Sequence, residues 1–238
     1  MTAIVLDIEG TTTPISFVYD VLFPYARARV TPFLRDRAAS PQVRQLLEAL
    51  YREYQDDVAR RLDPPCWQMI ERLNDAVAYV HWLMDRDRKS TPLKTLQGEI
   101  WQDGYRAGEL KGAVFDDVPK ALERWSQRGR RIAIFSSGSV LAQKLLFANS
   151  TAGDLTGFIS AYFDTTLGSK TESESYRRIA AAIGSPAPSM AFVSDITKEL
   201  AAARAAGMHA FLSVRPGNTP QDEGARYPQM GTLLEMPD

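Results

Sequence analysis

The chain has 238 residues, enough for one large domain or two smaller ones around a sizeable buried core. Its 28 Lys and Arg against 29 Asp and Glu leave it almost neutral, without the basic surplus of a nucleic-acid binder, and no run of about 18 apolar residues is present to span a membrane. The one cysteine, Cys66, excludes an internal disulfide and a multi-cysteine zinc site, and reads as a small hydrophobe within a helix.

The first element is a short buried strand over 3–6, Ala3-Ile4-Val5-Leu6, running directly into Asp7-Ile8-Glu9-Gly10-Thr11-Thr12. From 17 to 105 the pattern is almost wholly helical. Ser40-Pro41 is a helix-start pair, and Val43, Leu46, Leu47, Leu50, Tyr51, Tyr54 and Val58 then recur at three- and four-residue steps. Asp63-Pro64-Pro65 breaks that helix. A second apolar face follows on Met69, Ile70, Leu73, Val77, Val80 and Leu83, ending near the charged run 85–89, and Thr91-Pro92 opens another helix. From 114 onward, helices alternate with short apolar strands. The reading is helix 118–128, strand 131–135, helix 140–147, a weaker strand 161–163, helix 172–183, strand 190–193, helix 198–206 and strand 209–214. The tail after Pro216 reads as irregular. Strands separated by helices of about ten residues predict βαβ units and a parallel sheet. The expected architecture is a Rossmann-like α/β core, 1–15 plus 112–238, with an all-helical cap over 16–111 inserted after the first strand.

Four segments carry chemistry. At the end of the first strand, Asp7 and Glu9 reach the sheet edge where open α/β folds bind ligands. At 132–139, Ile132-Ala133-Ile134-Phe135-Ser136-Ser137-Gly138-Ser139 places hydroxyls and a glycine before a helix start, where unpaired amides can hold a phosphate. Lys170 stands just before a helix, at the end of the dipole that disfavours a cation. The strand 190–193 delivers Asp195, with Glu199 one helical turn later. Taken singly, each is also an ordinary structural feature: an acidic turn, a serine cap, an exposed lysine, a helix cap. Trp67, Trp82 and Trp101 and the two histidines, His81 and His209, read as structural.

In this order the four segments resemble the haloacid dehalogenase-like phosphohydrolases, whose helical cap after the first strand matches too. Asp-x-Glu-Gly-Thr-Thr-Thr-Pro-Ile-Ser-Phe-Val at 7–18 and Leu96-Gln97-Gly98-Glu99-Ile100-Trp101-Gln102-Asp103-Gly104-Tyr105 look like one subfamily, the enolase-phosphatases (acireductone synthases) of methionine salvage. Lys111-Gly112, Asp117-Val118-Pro119, the run 135–139 and Ser194-Asp195 fit the same pattern, and the likeness covers nearly the whole chain. It implies that Asp7 is a nucleophile forming an aspartyl-phosphate, and that Glu9 protonates the leaving oxygen and then activates water. Ser136, Ser137 and Gly138 would grip phosphate and Lys170 would neutralise charge, while Asp7, Glu9 and Asp195 would bind metal. The implied substrate is a phosphorylated diketone.

Electrostatics add a separate requirement. Two like charges about 4 Å apart repel by roughly 4 kcal/mol at an effective dielectric of 20. Several carboxylates facing a phosphate therefore need more than one lysine, and an all-oxygen site suits one Mg²⁺. The start of the chain shows no basic segment leading into an apolar run, so the expectation is a cytoplasmic monomer without nucleic-acid or membrane partners.

Overall fold

The structure is a computed structural model describing residues 1–237; Asp238, the last residue of the expected core range, lies outside them. In chain order the elements are β1 (Ala3–Leu6), α1 (Phe23–Asp36), α2 (Pro41–Ala59), α3 (Leu73–Asp85), α4 (Thr91–Arg106), α5 (Val118–Gln127), β2 (Arg131–Phe135), α6 (Val140–Ala148), β3 (Ala161–Phe163), α7 (Ser173–Ile183), β4 (Met190–Ser194), α8 (Thr197–Ala205), β5 (His209–Ser213) and β6 (Gln229–Met230). They form two compact units, one of residues 1–19 with 108–238 and one of residues 20–107.

The first unit is built on a six-stranded sheet in the order β3-β2-β1-β4-β5-β6, with every neighbouring pair parallel. A parallel sheet is covered on both faces, which is why β1 and β4 read as unbroken apolar runs and are buried at every position. On one face Val5, Phe135 and Phe192 pack against Tyr176 and Ile179 of α7 and Leu200 of α8. The Tyr176 ring stands 4.9 Å from Phe192 and 5.6 Å from Phe135, edge to face. β1 lies in the middle: Leu6 stands opposite Ile134 on β2 and Val193 on β4. The carboxyl ends of these three strands therefore open side by side, and the residues that follow them share one edge.

The second unit is all helical. Pro41 occupies the first turn of α2, and the Ser90 hydroxyl accepts from Leu93 N–H at the start of α4 (3.1 Å). Trp67, Trp82 and Trp101 are all buried in it. Its one deeply buried charge, Asp57, accepts from Tyr79 O–H and Arg88 Nη2, each at 2.8 Å, so the carboxylate is paired rather than stranded.

The α/β architecture with a helical insertion after β1 is as expected from the sequence, but three local expectations fail. The second apolar face does not begin at Met69: α3 starts at Leu73, and Met69 is exposed. The chain stays irregular to residue 72, with its polar groups engaged outside a helix: Trp67 Nε1 donates to Met69 O (2.9 Å) and Gln68 N–H to Asp75 Oδ2 (3.1 Å). Cys66 lies in this stretch and is exposed, not a helical core residue; neighbouring Trp67 takes the buried place, its N–H donating to Tyr54 Oη (3.0 Å). The tail after Pro216 is not wholly irregular, since β6 adds a sixth strand through Leu212↔Gln229 and Ser213↔Met230. Two residues between loops leave no periodicity to read.

Candidate active site

Asp7 follows β1 directly and is 5 % exposed. Its Oδ1 accepts from Ile8 N–H at 2.8 Å and lies 2.6 Å from Lys170 Nζ; Oδ2 lies 3.1 Å from Ser194 Oγ. Lys170, 8 % exposed, arrives from the loop between β3 and α7. That loop is tied to the first turn of α7, where Tyr176 O–H donates to Lys170 O (2.7 Å) and Ser175 O–H to Ser169 O (2.6 Å). The ammonium also meets Glu199 Oε2 at 2.8 Å. Burial alone would lower the Lys170 pKa, but the Asp7 and Glu199 carboxylates outweigh it and raise it.

Glu199, in the first turn of α8, was seen in the sequence only as a neighbour of Asp195, yet it completes a buried Asp7–Lys170–Glu199 chain. An acid in a first helical turn is favoured by the helix dipole alone, so its position carried no distinguishing mark. Burial, and then the Asp7 charge, push the Glu199 carboxyl up to about 7. Ser194 Oγ sits between Asp7 Oδ2 and Glu199 Oε2, 2.8 Å from the latter. Its single proton serves one of them at a time.

Asp195 follows β4, is 6 % exposed, and is likewise pushed up to about 7 by burial and the Asp7 charge, with Glu9 adding to the effect and Lys170 opposing it. Gly10 turns the chain beneath it with φ +65°, and a Cβ there would lie only 2.5 Å from Asp195 Oδ2 and 2.7 Å from Asn218 Oδ1. Glu9 is half-buried and shares a backbone bridge with Thr13. It bears on Asp195 through its charge, which raises the Asp195 pKa.

After β2, Ser136 is 3 % exposed and its hydroxyl accepts from Gly138 N–H at 3.1 Å. Ser137 and Gly138 are half-buried beside it. The loop is anchored from behind by Gln143, whose Nε2 donates to Gly138 O (2.8 Å) and Phe163 O (2.9 Å). Ser139 caps α6 by accepting from Ala142 N–H (3.3 Å), leaving a helix start that faces the same edge.

The end of β5 and the segment after it grip the loop after β1; of these residues only Asn218 lies in the stretch beyond Pro216 that reads as irregular. Ser213 O–H donates to Gly10 O (2.9 Å), Asn218 Nδ2 to Gly10 O (2.9 Å), and Arg215 Nε and Nη2 to Thr11 O (3.3 and 3.2 Å). Arg215 is itself held by a bidentate pair with Asp117, 2.9 and 2.8 Å. Burial would raise the Asp117 carboxyl, but the Arg215 fork and the Leu233 amide hold it below the usual range. These partners lie more than two hundred residues from the loop or, for Asp117, just before α5, so no local pattern could disclose them.

The donor set fits a hard divalent cation. The Lys170 ammonium pairs with Asp7 and Glu199, the Asp195 and Glu199 carboxyls rise to about 7, and every candidate donor among Asp7, Glu9, Asp195 and Glu199 is an oxygen. Among the described residues no three His, Cys, Asp or Glu form a closed metal cage. A Mg²⁺ that keeps waters and substrate phosphate needs only one or two carboxylates.

The comparisons with known proteins agree with this geometry. Residues 1–207 match the haloacid dehalogenase-like hydrolase family. Enolase-phosphatase E1 of Synechococcus elongatus is 52 % identical over 94 % of this chain and 93 % of its own. The protein of the same name from Pseudomonas syringae pv. syringae is 49 % identical over 98 % and 96 %. The crystal structure of the UTR4 protein of Saccharomyces cerevisiae superposes with a TM-score of 0.80 at 34 % identity, covering 99 % of each chain. The chain therefore belongs to the haloacid dehalogenase-like hydrolases and, within them, to the enolase-phosphatase E1 family.

Proposed function

We propose that this enzyme converts 2,3-diketo-5-methylthiopentyl-1-phosphate to the acireductone 1,2-dihydroxy-3-keto-5-methylthiopentene and phosphate, as a step of L-methionine salvage. What supports the phosphatase half most directly is the buried Asp7 carboxylate at the end of β1, 2.6 Å from Lys170 Nζ and beside a second buried carboxylate, Asp195. The enolase half rests on the near-full-length identity to enolase-phosphatases.

In this reading residues 1–15 and 112–238 are the catalytic core and 16–111 the cap, acting as a monomer. The substrate is first enolised by transfer of a proton. An Asp7 carboxylate oxygen then attacks phosphorus, the bond from phosphorus to the substrate oxygen breaks, and Glu9 gives its proton to that oxygen. Water next attacks the aspartyl-phosphate while Glu9 takes its proton; phosphate leaves, and both carboxyls return to their starting states. Ser136, with Ser137 and Gly138 shaping its loop, would hold phosphate oxygens, and Lys170 would offset their charge. Asp7 and Asp195 through their carboxylates, and Glu9 through its backbone carbonyl so that its carboxyl stays free for proton transfer, would hold one Mg²⁺. That ion, when bound, supplies Lewis-acid polarisation of the carbonyl and shielding of charge during phosphoryl transfer.

The deciding experiment mixes enzyme, Mg²⁺ and the diketone phosphate, and follows the ultraviolet absorbance of the enol alongside free phosphate. Enol absorbance that rises before phosphate is expected. Phosphate release without any enol stage would leave only a general phosphomonoesterase.

A further inference from the structure

Asn218 lies beyond residue 207, where the family match ends, in a stretch that the sequence reading left as irregular. Its side chain is nonetheless fixed in orientation. Nδ2 donates to two carbonyls, Gly10 O at 2.9 Å and Ser213 O at 3.2 Å, so the nitrogen must occupy that side and Oδ1 the other. Oδ1 is buried and receives no donor from the described residues. The same point beside Gly10 lies 2.7 Å from Asn218 Oδ1 and 2.5 Å from Asp195 Oδ2. The amide oxygen and the Asp195 carboxylate oxygen are therefore no more than 5.2 Å apart, the sum of those two distances. A buried acceptor without a donor carries a desolvation penalty of about 1–3 kcal/mol, so Asn218 Oδ1 calls for a donor, and a bridging water fits a separation of that size.

We propose that Asn218 is a positioning residue of the divalent-cation site. Its Oδ1 accepts a hydrogen bond from a water coordinated to the cation at Asp195, while its Nδ2 holds the Gly10 carbonyl and with it the loop bearing Glu9. This rests on the reading that the cation binds at Asp7 and Asp195. The two roles are separable, because Ser213 O–H also donates to Gly10 O but presents nothing toward Asp195.

The test titrates Mn²⁺ alone into the full-length protein, without substrate, and follows the electron paramagnetic resonance signal of the free ion, with circular dichroism to establish folding. Asn218→Ala should weaken Mn²⁺ binding by roughly 10- to 100-fold, the range for outer partners of metal ligands. Asn218→Asp, which keeps an oxygen at that point, should bind more tightly than Asn218→Ala. Ser213→Ala should weaken binding several-fold less than Asn218→Ala. Wild-type affinity in Asn218→Ala, or an equal loss in Ser213→Ala, overturns the proposal, and so does Asn218→Asp binding no better than Asn218→Ala. Asp195→Asn is the reference. If it binds like wild type, the cation site itself is misplaced and the proposal falls with it; if it is weakened and Asn218→Ala is not, only the role of Asn218 is refuted.

Discussion

Replacing Lys170 with Met keeps the length of the buried stem and removes the ammonium that Asp7 and Glu199 share. At an effective dielectric of 20, each of its contacts, 2.6 Å to Asp7 and 2.8 Å to Glu199, has a gross attraction of roughly 6 kcal/mol. Most of that is offset by the desolvation the lysine has already undergone. The net loss on breaking a buried pair from one side is about 3–5 kcal/mol, because the remaining charge is stranded. For a chain of this size that lowers Tm by roughly 6–20 °C. The effect must depend on pH. The Glu199 carboxyl is pushed up to about 7, so at pH 5.5 it is largely protonated and the variant strands less negative charge than at pH 8. Thermal denaturation of EDTA-treated Lys170→Met against wild type should therefore show a large Tm loss at pH 8 and a smaller one at pH 5.5. Phosphate release should also fall by at least about 100-fold, the scale for losing one preorganised electrostatic partner. A variant as stable as wild type at pH 8, or equally destabilised at both pH values, would show that Lys170 does not compensate these carboxylates.

Four further outcomes follow from the same site. Asp7→Asn should abolish phosphate release while circular dichroism shows the fold retained; ordinary turnover would remove its nucleophilic role. Glu9→Asp shortens the side chain by one methylene, roughly 1.3 Å of reach, and Glu9→Gln removes the exchangeable proton; each should impair enolisation or hydrolysis in stopped-flow traces, and wild-type behaviour in both contradicts an acid/base role. Because Asp195 and Glu199 titrate higher in the folded chain than unfolded, the native state binds extra protons between about pH 4.5 and 7. Metal-free protein should thus lose stability in guanidinium titrations as pH rises through that window, by roughly 3–4 kcal/mol per group before their coupling is counted, and Mg²⁺ should restore part of it at pH 8. Arg215→Met leaves the half-buried Asp117 without its fork, though still bonded to the Leu233 amide, and should destabilise the α/β unit by about 2–4 kcal/mol; a change under 1 kcal/mol would mean the clamp on Thr11 O is dispensable.

What was legible in the sequence lay where one residue type switches to another over a short distance. Ala3-Ile4-Val5-Leu6 ending in Asp7, and Met190-Ala191-Phe192-Val193 ending in Ser194-Asp195, mark buried strands that deliver charge to one edge, and β1 and β4 are indeed neighbours there. Lys170 could be named as a charge for phosphate and a neighbouring carboxylate, but its double pairing with Asp7 and Glu199, on a loop that the Tyr176 hydroxyl ties to α7, could not. Glu199 and Asn218 were illegible for different reasons. The first has the same signature as any first-turn acid, and the second acts through contacts with Gly10 that no local spacing encodes. The irregular stretch around Cys66 shows the converse error, an apolar periodicity at Met69 and Ile70 overridden by the burial of Trp67 and the bonds that hold 67–69 outside a helix.

The central claim is that the carboxylates of Asp7 and Asp195 serve a single divalent ion beside the Ser136 loop. A crystal soaked with Mg²⁺ and a phosphate mimic measures this directly. One octahedral ion contacting both carboxylates at about 2.0–2.1 Å is expected, with the mimic over Ser136 and Lys170. An ion bound elsewhere, or touching one of the two carboxylates without the other, would contradict it.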